Sequence, residues 1–378
     1  MNKSIIVVLM VFFVQSFSEG ICQKVAAGET PFRMLGHLMT VTAGINDSPT
    51  EFNFVVDTGG ATFVSKAVAD ELGLKQMGPQ AKINTLHLQG MDIANIFCFT
   101  TFDFSHFNSL GTPIHGIIGS TLLERYRVTI DFEGQKITLS DETGSLDKPE
   151  NAALLKFENH KVNNAPLIDF EINGRSFKGM IDTGQPHSVV LPIETFKEYG
   201  FEDFSGVLES RGLMEKWPNP KILFNNMVRL KTVRVGPWAY SDVLCLFGDL
   251  PHMLSMPLIG MDFLSMFKII IDFPNDEMVL IPRGSLRLKT NLFSVGLNVG
   301  ISEEGGVVVE GLWKGSPADK AGLEVGDKIL SFNDLPVRPN NLIEMQYALR
   351  DDRTKDIELE IARGDTKRRI LLEKANLF

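Results

Sequence analysis

Metal ligands and reactive thiols are scarce in this chain. Its seven histidines are scattered and it has three cysteines; none shows a ligand spacing, so no metal and no cofactor are expected. No Walker-type phosphate loop and no Gly-x-Ser-x-Gly elbow occurs, which removes nucleotide-driven and serine-hydrolase chemistry. Positive charge is short as well, with 37 Lys and Arg against 47 Asp and Glu for a net charge of −10. Lys367-Arg368-Arg369 reads as a solvated strand face, so nucleic acid is excluded as a partner.

The N-terminus bears on compartment. Lys3 precedes an apolar run from Ile5 to Val14, followed by Ser16-Phe17-Ser18. The run is too short to cross a bilayer as a helix but fits the core of a secretory signal. The expectation is a signal over 1–18, cleaved near Ser18-Glu19, and a periplasmic or extracellular protein with no membrane span thereafter; an uncleaved anchor is the alternative. Cys22 invites a lipid anchor, but Ile21 stands where a lipid-attachment site wants a small residue.

Hydrophobic residues make up 44% of the 378 and charged residues 22%, the balance of a folded protein large enough for two or three cores. Short β-branched runs broken by Gly, Pro and Asn-Gly turns predict a mainly β architecture. The 27 phenylalanines fall mostly at strand positions, where they read as core.

Against this background Asp-Thr-Gly occurs twice, at Asp57-Thr58-Gly59 and Asp182-Thr183-Gly184, each after an apolar run. The surroundings repeat in the same order. After the first come Leu88-Gln89-Gly90, Cys98, Gly116-Ile117-Ile118-Gly119 and Tyr126 to Phe132; after the second come Val235-Gly236, Cys245, Pro257-Leu258-Ile259-Gly260 and Phe267 to Phe273. The chain is therefore internally duplicated. Two Asp carboxylates brought within hydrogen-bonding distance cannot both ionise, so one can activate a water while its protonated partner polarises a carbonyl. Glycine lets each loop turn sharply and offer backbone donors, and threonine can bond across to the opposite loop.

On these motifs, residues 35–283 resemble the retropepsin-like aspartic proteases, in a single-chain form of the exported bacterial type. The resemblance implies two pseudo-symmetric β-barrel lobes. It implies that Asp57 and Asp182 form a catalytic dyad, supported by Thr58, Gly59, Thr183 and Gly184, and that Ile117-Ile118-Gly119 and Leu258-Ile259-Gly260 pack beneath the loops. The chain departs from the pattern where a small hydroxyl residue or alanine usually follows the triplet, since Gly60 and Gln185 stand there. His187, just beyond, is a candidate modifier of pH dependence, and His115 a structural hydrogen-bonder.

The halves differ in length between triplet and hairpin. Gly184 to Val235 spans 51 positions against 29 from Gly59 to Leu88, an excess of 22 around Gly206 to Met227. Two readings of the excess stand side by side: a flap near Leu208 to Pro220 whose Met214 and Trp217 face substrate, or a surface insertion. Cys98 and Cys245 sit at equivalent places; buried free thiols are expected, although an exported protein permits a disulfide.

From Phe293 the chain changes character. Gly315-Ser316-Pro317-Ala318, Ala321-Gly322-Leu323 and Gly326-Asp327-Lys328-Ile329 resemble a PDZ domain, a module that adds a C-terminal peptide as an extra strand. The resemblance implies a groove formed by Val295, Gly296, Leu297, Asn298 and Val299, with Ile343 and Tyr347 on the facing helix. It could take peptide tails, the chain's own Leu377-Phe378 among them, or the module could merely pack against the rest.

The expected organisation is thus a signal peptide (1–18), a first lobe (19–145), a second lobe (146–283) and a PDZ domain (284–378), with Ser140 to Asn151 linking the lobes. The expected partners are polypeptide substrates and C-terminal peptides. The function read from these residues is an exported aspartic endopeptidase; the alternative is a catalytically silent peptide-binding or scaffold protein of the cell envelope.

Overall fold

Alternating burial builds the framework. Along Leu38–Ile45 and Gln80–Leu88 every second residue or so is buried, and in Arg127–Asp131 only Val128 and Ile130 are, so one face of each strand enters a core. The structure, a computed structural model, describes residues 28–378 apart from 105–106, 108–111, 143, 147, 196–203, 205, 217–222 and 249–255. The signal segment 1–18, Cys22 and Trp217 therefore lie outside the described residues.

In the first half, Leu38–Ile45 pairs with Glu51–Asp57 on one edge and with Gln80–Leu88 on the other, which curls the sheet into a barrel. The second half repeats the plan. Pro166–Ile172 pairs with Arg175–Ile181 and with Leu223–Val235. Its first hairpin turns at Asn173 (φ 49°) and Gly174 (φ 78°), the left-handed pair that matches strand twist in a two-residue turn.

The halves are joined through a six-stranded antiparallel sheet. Its order is Gly28–Pro31, Lys136–Ser140, Arg127–Asp131, Phe267–Asp272, Glu277–Pro282, Ala153–Asn159. At the central seam Val128 faces Ile271 and Ile130 faces Ile269. Arg127 reaches the buried Asp272 across the seam at 2.7 Å, and Lys268 reaches Asp131 at 3.3 Å, a pair of ion contacts related by the internal symmetry. One continuous core runs through both halves and this sheet. Its fully buried Phe54, Phe263 and Phe267 each contribute roughly 1.5–3 kcal/mol.

The C-terminal module has its own core of Val295, Leu297, Val299, Leu312, Leu342, Met345, Leu349 and Ile361, among others. Leu297–Ile301 pairs with Val307–Trp313, and the helix Leu342–Arg350 lays its Leu342, Met345 and Leu349 into the same core. Cys98 and Cys245 are both free and buried. Burial pushes the Cys98 thiol up to about 12 and the Cys245 thiol well above its ordinary value.

Candidate active site

Strand geometry delivers both triplets to one place. Glu51–Asp57 runs parallel to Gly116–Gly119, with Asp57 opposite Gly119; Arg175–Ile181 runs parallel to Leu258–Ile259. The apolar-apolar-Gly segments then hold the loops from beneath. Ser120 Oγ donates to Thr58 O at 2.6 Å and Ser120 N to Gly60 O at 2.8 Å. In the second half, Asp182 N donates to Ile259 O at 2.9 Å and Met261 N to Gln185 O at 2.7 Å.

Two threonines lock the loops to each other. Thr58 N donates to Thr183 Oγ1 at 3.0 Å, and Thr183 N to Thr58 Oγ1 at 3.2 Å. Each hydroxyl in turn donates across to the strand before the other triplet, Thr58 Oγ1 to Ile181 O at 2.8 Å and Thr183 Oγ1 to Val56 O at 3.1 Å. Both threonines are wholly buried, where an unmade hydrogen bond is expensive and a made one is specific.

The glycines admit the carboxylates. Gly59 N and Gly184 N each donate at 2.8 Å to the aspartate of their own triplet. A Cβ on Gly59 would stand 2.7 Å from both Asp182 carboxylate oxygens, and one on Gly184 would stand 2.8 Å from Asp57 Cγ. Each loop thus approaches the other's aspartate at a distance only glycine permits. Burial raises the Asp57 carboxyl above the ordinary carboxylate range, against the Gly59 N–H that lowers it. Asp182 is raised well above that range, by burial first and then by the charge of Asp57. Two carboxyls in contact, Asp182 buried and Asp57 half-buried, share one proton.

Two braces went unnoticed in the sequence. His37 Nε2 bonds Gly184 O at 3.2 Å, so the first half steadies the second triplet. Asn163 Nδ2 donates to Gly59 O at 2.6 Å, and His160 Nδ1 pairs with Asn163 Oδ1 at 2.6 Å, so the second half steadies the first. A lone His or Asn in a polar turn carries no local signal. Only their positions ahead of equivalent strands could have suggested the symmetry. His115 Nδ1 accepts from Asn53 N at 3.0 Å, a strand-edge contact, and the His187 carbonyl stands where a Cβ on Gly260 would go.

The long segment of the second half forms a hairpin. Val207–Gly212 pairs with Leu223–Val235 through Leu208 opposite Met227, and then continues onto the C-terminal module, with Ser210 opposite Trp313 and Gly212 opposite Gly311. Met214 packs on a second-lobe cluster that also holds Met180 and Leu258. One edge of its Val207–Gly212 strand is thus bridged to the C-terminal module, while residues 217–222 lie outside the described residues.

Val295, Leu297 and Val299 turn their side chains into the module's own core, while Leu297–Ile301 is paired to Val307–Trp313. Gly296 adopts φ +78°, but its N–H donates to Ser294 Oγ at 2.9 Å, so that donor is already engaged. Asn298 Nδ2 donates to Leu213 O at 2.8 Å. Ile343 is half-buried and Tyr347 is exposed, its hydroxyl accepting from Gly36 N at 2.9 Å. Asn298 and Tyr347 therefore touch the two lobes. Leu377 and Phe378 pack on the second lobe rather than in the module's groove.

Residues 168–263 match the family model described as aspartyl protease, and residues 308–363 match that of the PDZ domain. The chain carries a retropepsin-like aspartyl protease domain followed by a C-terminal PDZ domain. No curated protein matches it.

Proposed function

We propose that this protein is an exported aspartic endopeptidase whose PDZ domain recruits protein tails or regulates access. The observation that carries the reading is the reciprocal threonine lock, which joins the two triplet loops and so supports Asp57 and Asp182 as a pair that shares one proton. Burial raises both carboxyls, and the one proton belongs to the pair; with Asp182 as the acid and Asp57 as the base, the cycle runs through both. A water between them attacks the scissile carbonyl carbon and gives a proton to Asp57, while Asp182 gives its proton to the carbonyl oxygen. The resulting gem-diol collapses as Asp57 protonates the leaving nitrogen, the C–N bond breaks, and Asp182 recovers a proton from the diol. The pair ends as it began, with no covalent intermediate.

The apolar run at Ile5 to Val14 supports export, tested by N-terminal sequencing of secreted protein. The peptide-binding reading draws support from a different observation: C-terminal residues cover part of the second lobe. One experiment separates them. A diverse peptide library is incubated with the purified protein from about pH 3 to 8 beside Asp57→Asn and Asp182→Asn. Cleavage by the parent and by neither variant supports the endopeptidase. A folded parent that cleaves nothing at any pH leaves peptide binding.

A further inference from the structure

Each lobe carries a small apolar cluster apart from the main core, and the two clusters are counterparts. In the first lobe it is Leu38, Val55, Ile114 and Ile117, with Phe63 packed against them. In the second it includes Ala165, Met180, Val190 and Leu258. Val55 and Met180 each stand two residues before an aspartate, and Phe63 pairs with Ile117 as Val190 pairs with Leu258. Residues two apart in a strand share a face, so Val55 lies on the face of Asp57 and Met180 on that of Asp182. Each cluster thus reaches its lobe's triplet through the residue two positions before the aspartate, Val55 in one and Met180 in the other.

The clusters are covered differently. Phe102, Phe104 and Phe107 of the same lobe pack on the first. The second extends through Leu246 to Leu208 and Met227 at the base of the long hairpin, and C-terminal residues cover it. Trp313 is 3% exposed within it, and Leu292, Leu377 and Phe378 pack against it. Specific bonds hold the tail there. Leu377 N donates to Leu292 O at 3.0 Å, and the Asn291 side-chain amide accepts from Phe378 N at 3.1 Å and donates to Phe378 O at 2.9 Å. The Arg229 guanidinium lies 5.1 Å from the Phe378 ring centroid, within cation–π range.

We infer that Leu377-Phe378, together with Trp313, is an intramolecular ligand of the second-lobe cluster, closing that side of the cleft to substrate side chains until the C-terminal module withdraws. The inference rests on the protease reading of the cleft. The occupant's chemistry sets what competes with it: a peptide presenting large apolar side chains of the Leu or Phe kind to the second lobe. Withdrawal also engages the hairpin, because Trp313 is paired to Ser210 in the shared ladder. The module therefore holds the cluster and the hairpin strand together.

The test uses the full chain, the full-length double variant Leu377→Ser/Phe378→Ser, and a chain lacking Leu377 and Phe378, all checked for equal near-ultraviolet dichroism. Two probes are titrated: a statine-containing hexapeptide with Leu and Phe side chains, and a fluorescein-labelled peptide of the sequence Lys374–Phe378. Removing the tail is expected to tighten statine-peptide binding roughly 10- to 100-fold, the gain expected when the competent state rises from a few per cent to dominance. The labelled peptide is expected to bind the shortened chain and to be displaced by the statine peptide. Equal statine affinity in all three folded proteins, or simultaneous binding of both probes, overturns the inference. So does failure of both probes to bind the shortened chain. If the labelled peptide binds and the statine peptide binds none of the three, the protease reading fails while the cluster remains the tail's own site.

Discussion

Replacing Thr183 by valine changes almost no volume and removes one hydroxyl, which isolates the energetics of the lock. Two contacts disappear, the acceptor for Thr58 N and the donor to Val56 O. The Thr58 N–H is buried in a loop already turned away from water, so orphaning it costs about 1–3 kcal/mol, with a smaller addition for the carbonyl. The expected loss is about 2–4 kcal/mol. Thr183→Ser keeps the hydroxyl and loses a methyl group, for about 1 kcal/mol. Urea unfolding followed by circular dichroism gives both values from the midpoint shifts. Thr58→Val should cost about as much as Thr183→Val, because the four bonds are reciprocal. The double valine variant should cost less than the sum, since a loop released by one change lets water reach the groups orphaned by the other. Turnover should fall on the order of 100-fold in each valine variant, the effect of an aspartate displaced by about 1 Å. If Thr183→Val and Thr183→Ser agree within about 0.5 kcal/mol, the lock is not what holds the loops, and the reasoning fails.

Three further outcomes are expected. Asp182 is raised in the folded state, so its contribution to stability is fully present below the unfolded carboxyl value and is lost as pH rises through the folded one. Asp182→Asn should accordingly melt higher than the parent at pH 7 and no higher at pH 3, at about 1.4 kcal/mol per unit of difference; calorimetry at the two pH values decides, and an equal gain at both refutes the burial argument. Gly59→Ala would place a Cβ 2.4 Å from Asp182 Cγ and 2.7 Å from both its oxygens, so cleavage should fall at least on the order of 100-fold through a shifted carboxylate, whereas a variant as active as the parent would show that the loop yields. Cys98, pushed up to about 12, should resist a thiol-specific chromogenic reagent at pH 8 in the native state by about a thousand-fold relative to urea, and fast native labelling would contradict its burial.

What could be read in the sequence followed from locality. Each triplet, each Gly-ended apolar segment and the Asn173-Gly174 turn is a short run whose meaning is complete within a few residues, and the duplication repeated the message. The C-terminal module was legible for the same reason, from Gly315-Ser316-Pro317-Ala318 onward. Contacts between distant segments were not. The pairing of Ser210 with Trp313 leaves no periodicity to find, and strand edges choose partners by position, not by composition. Side-chain burial in the C-terminal module was no more legible: one face of a strand is apolar whether it meets a peptide or the domain's own core, and Val295, Leu297 and Val299 meet the core. His37 and Asn163 matter through the backbone carbonyls they reach, which any polar turn residue of suitable length could do.

Placing both aspartates in one polypeptide, joined by the Arg127–Asp131 and Phe267–Asp272 seam, makes the pair independent of concentration. A site built between separate chains is lost on dilution once the partners part, whereas here the partner loop is tethered at a fixed high local concentration. The same covalent union frees the halves to diverge. Gly60 follows one triplet and Gln185 the other, and the long hairpin belongs to the second half alone. A bound peptide would meet different surroundings at its two ends, so the direction in which it lies becomes something the chain can select.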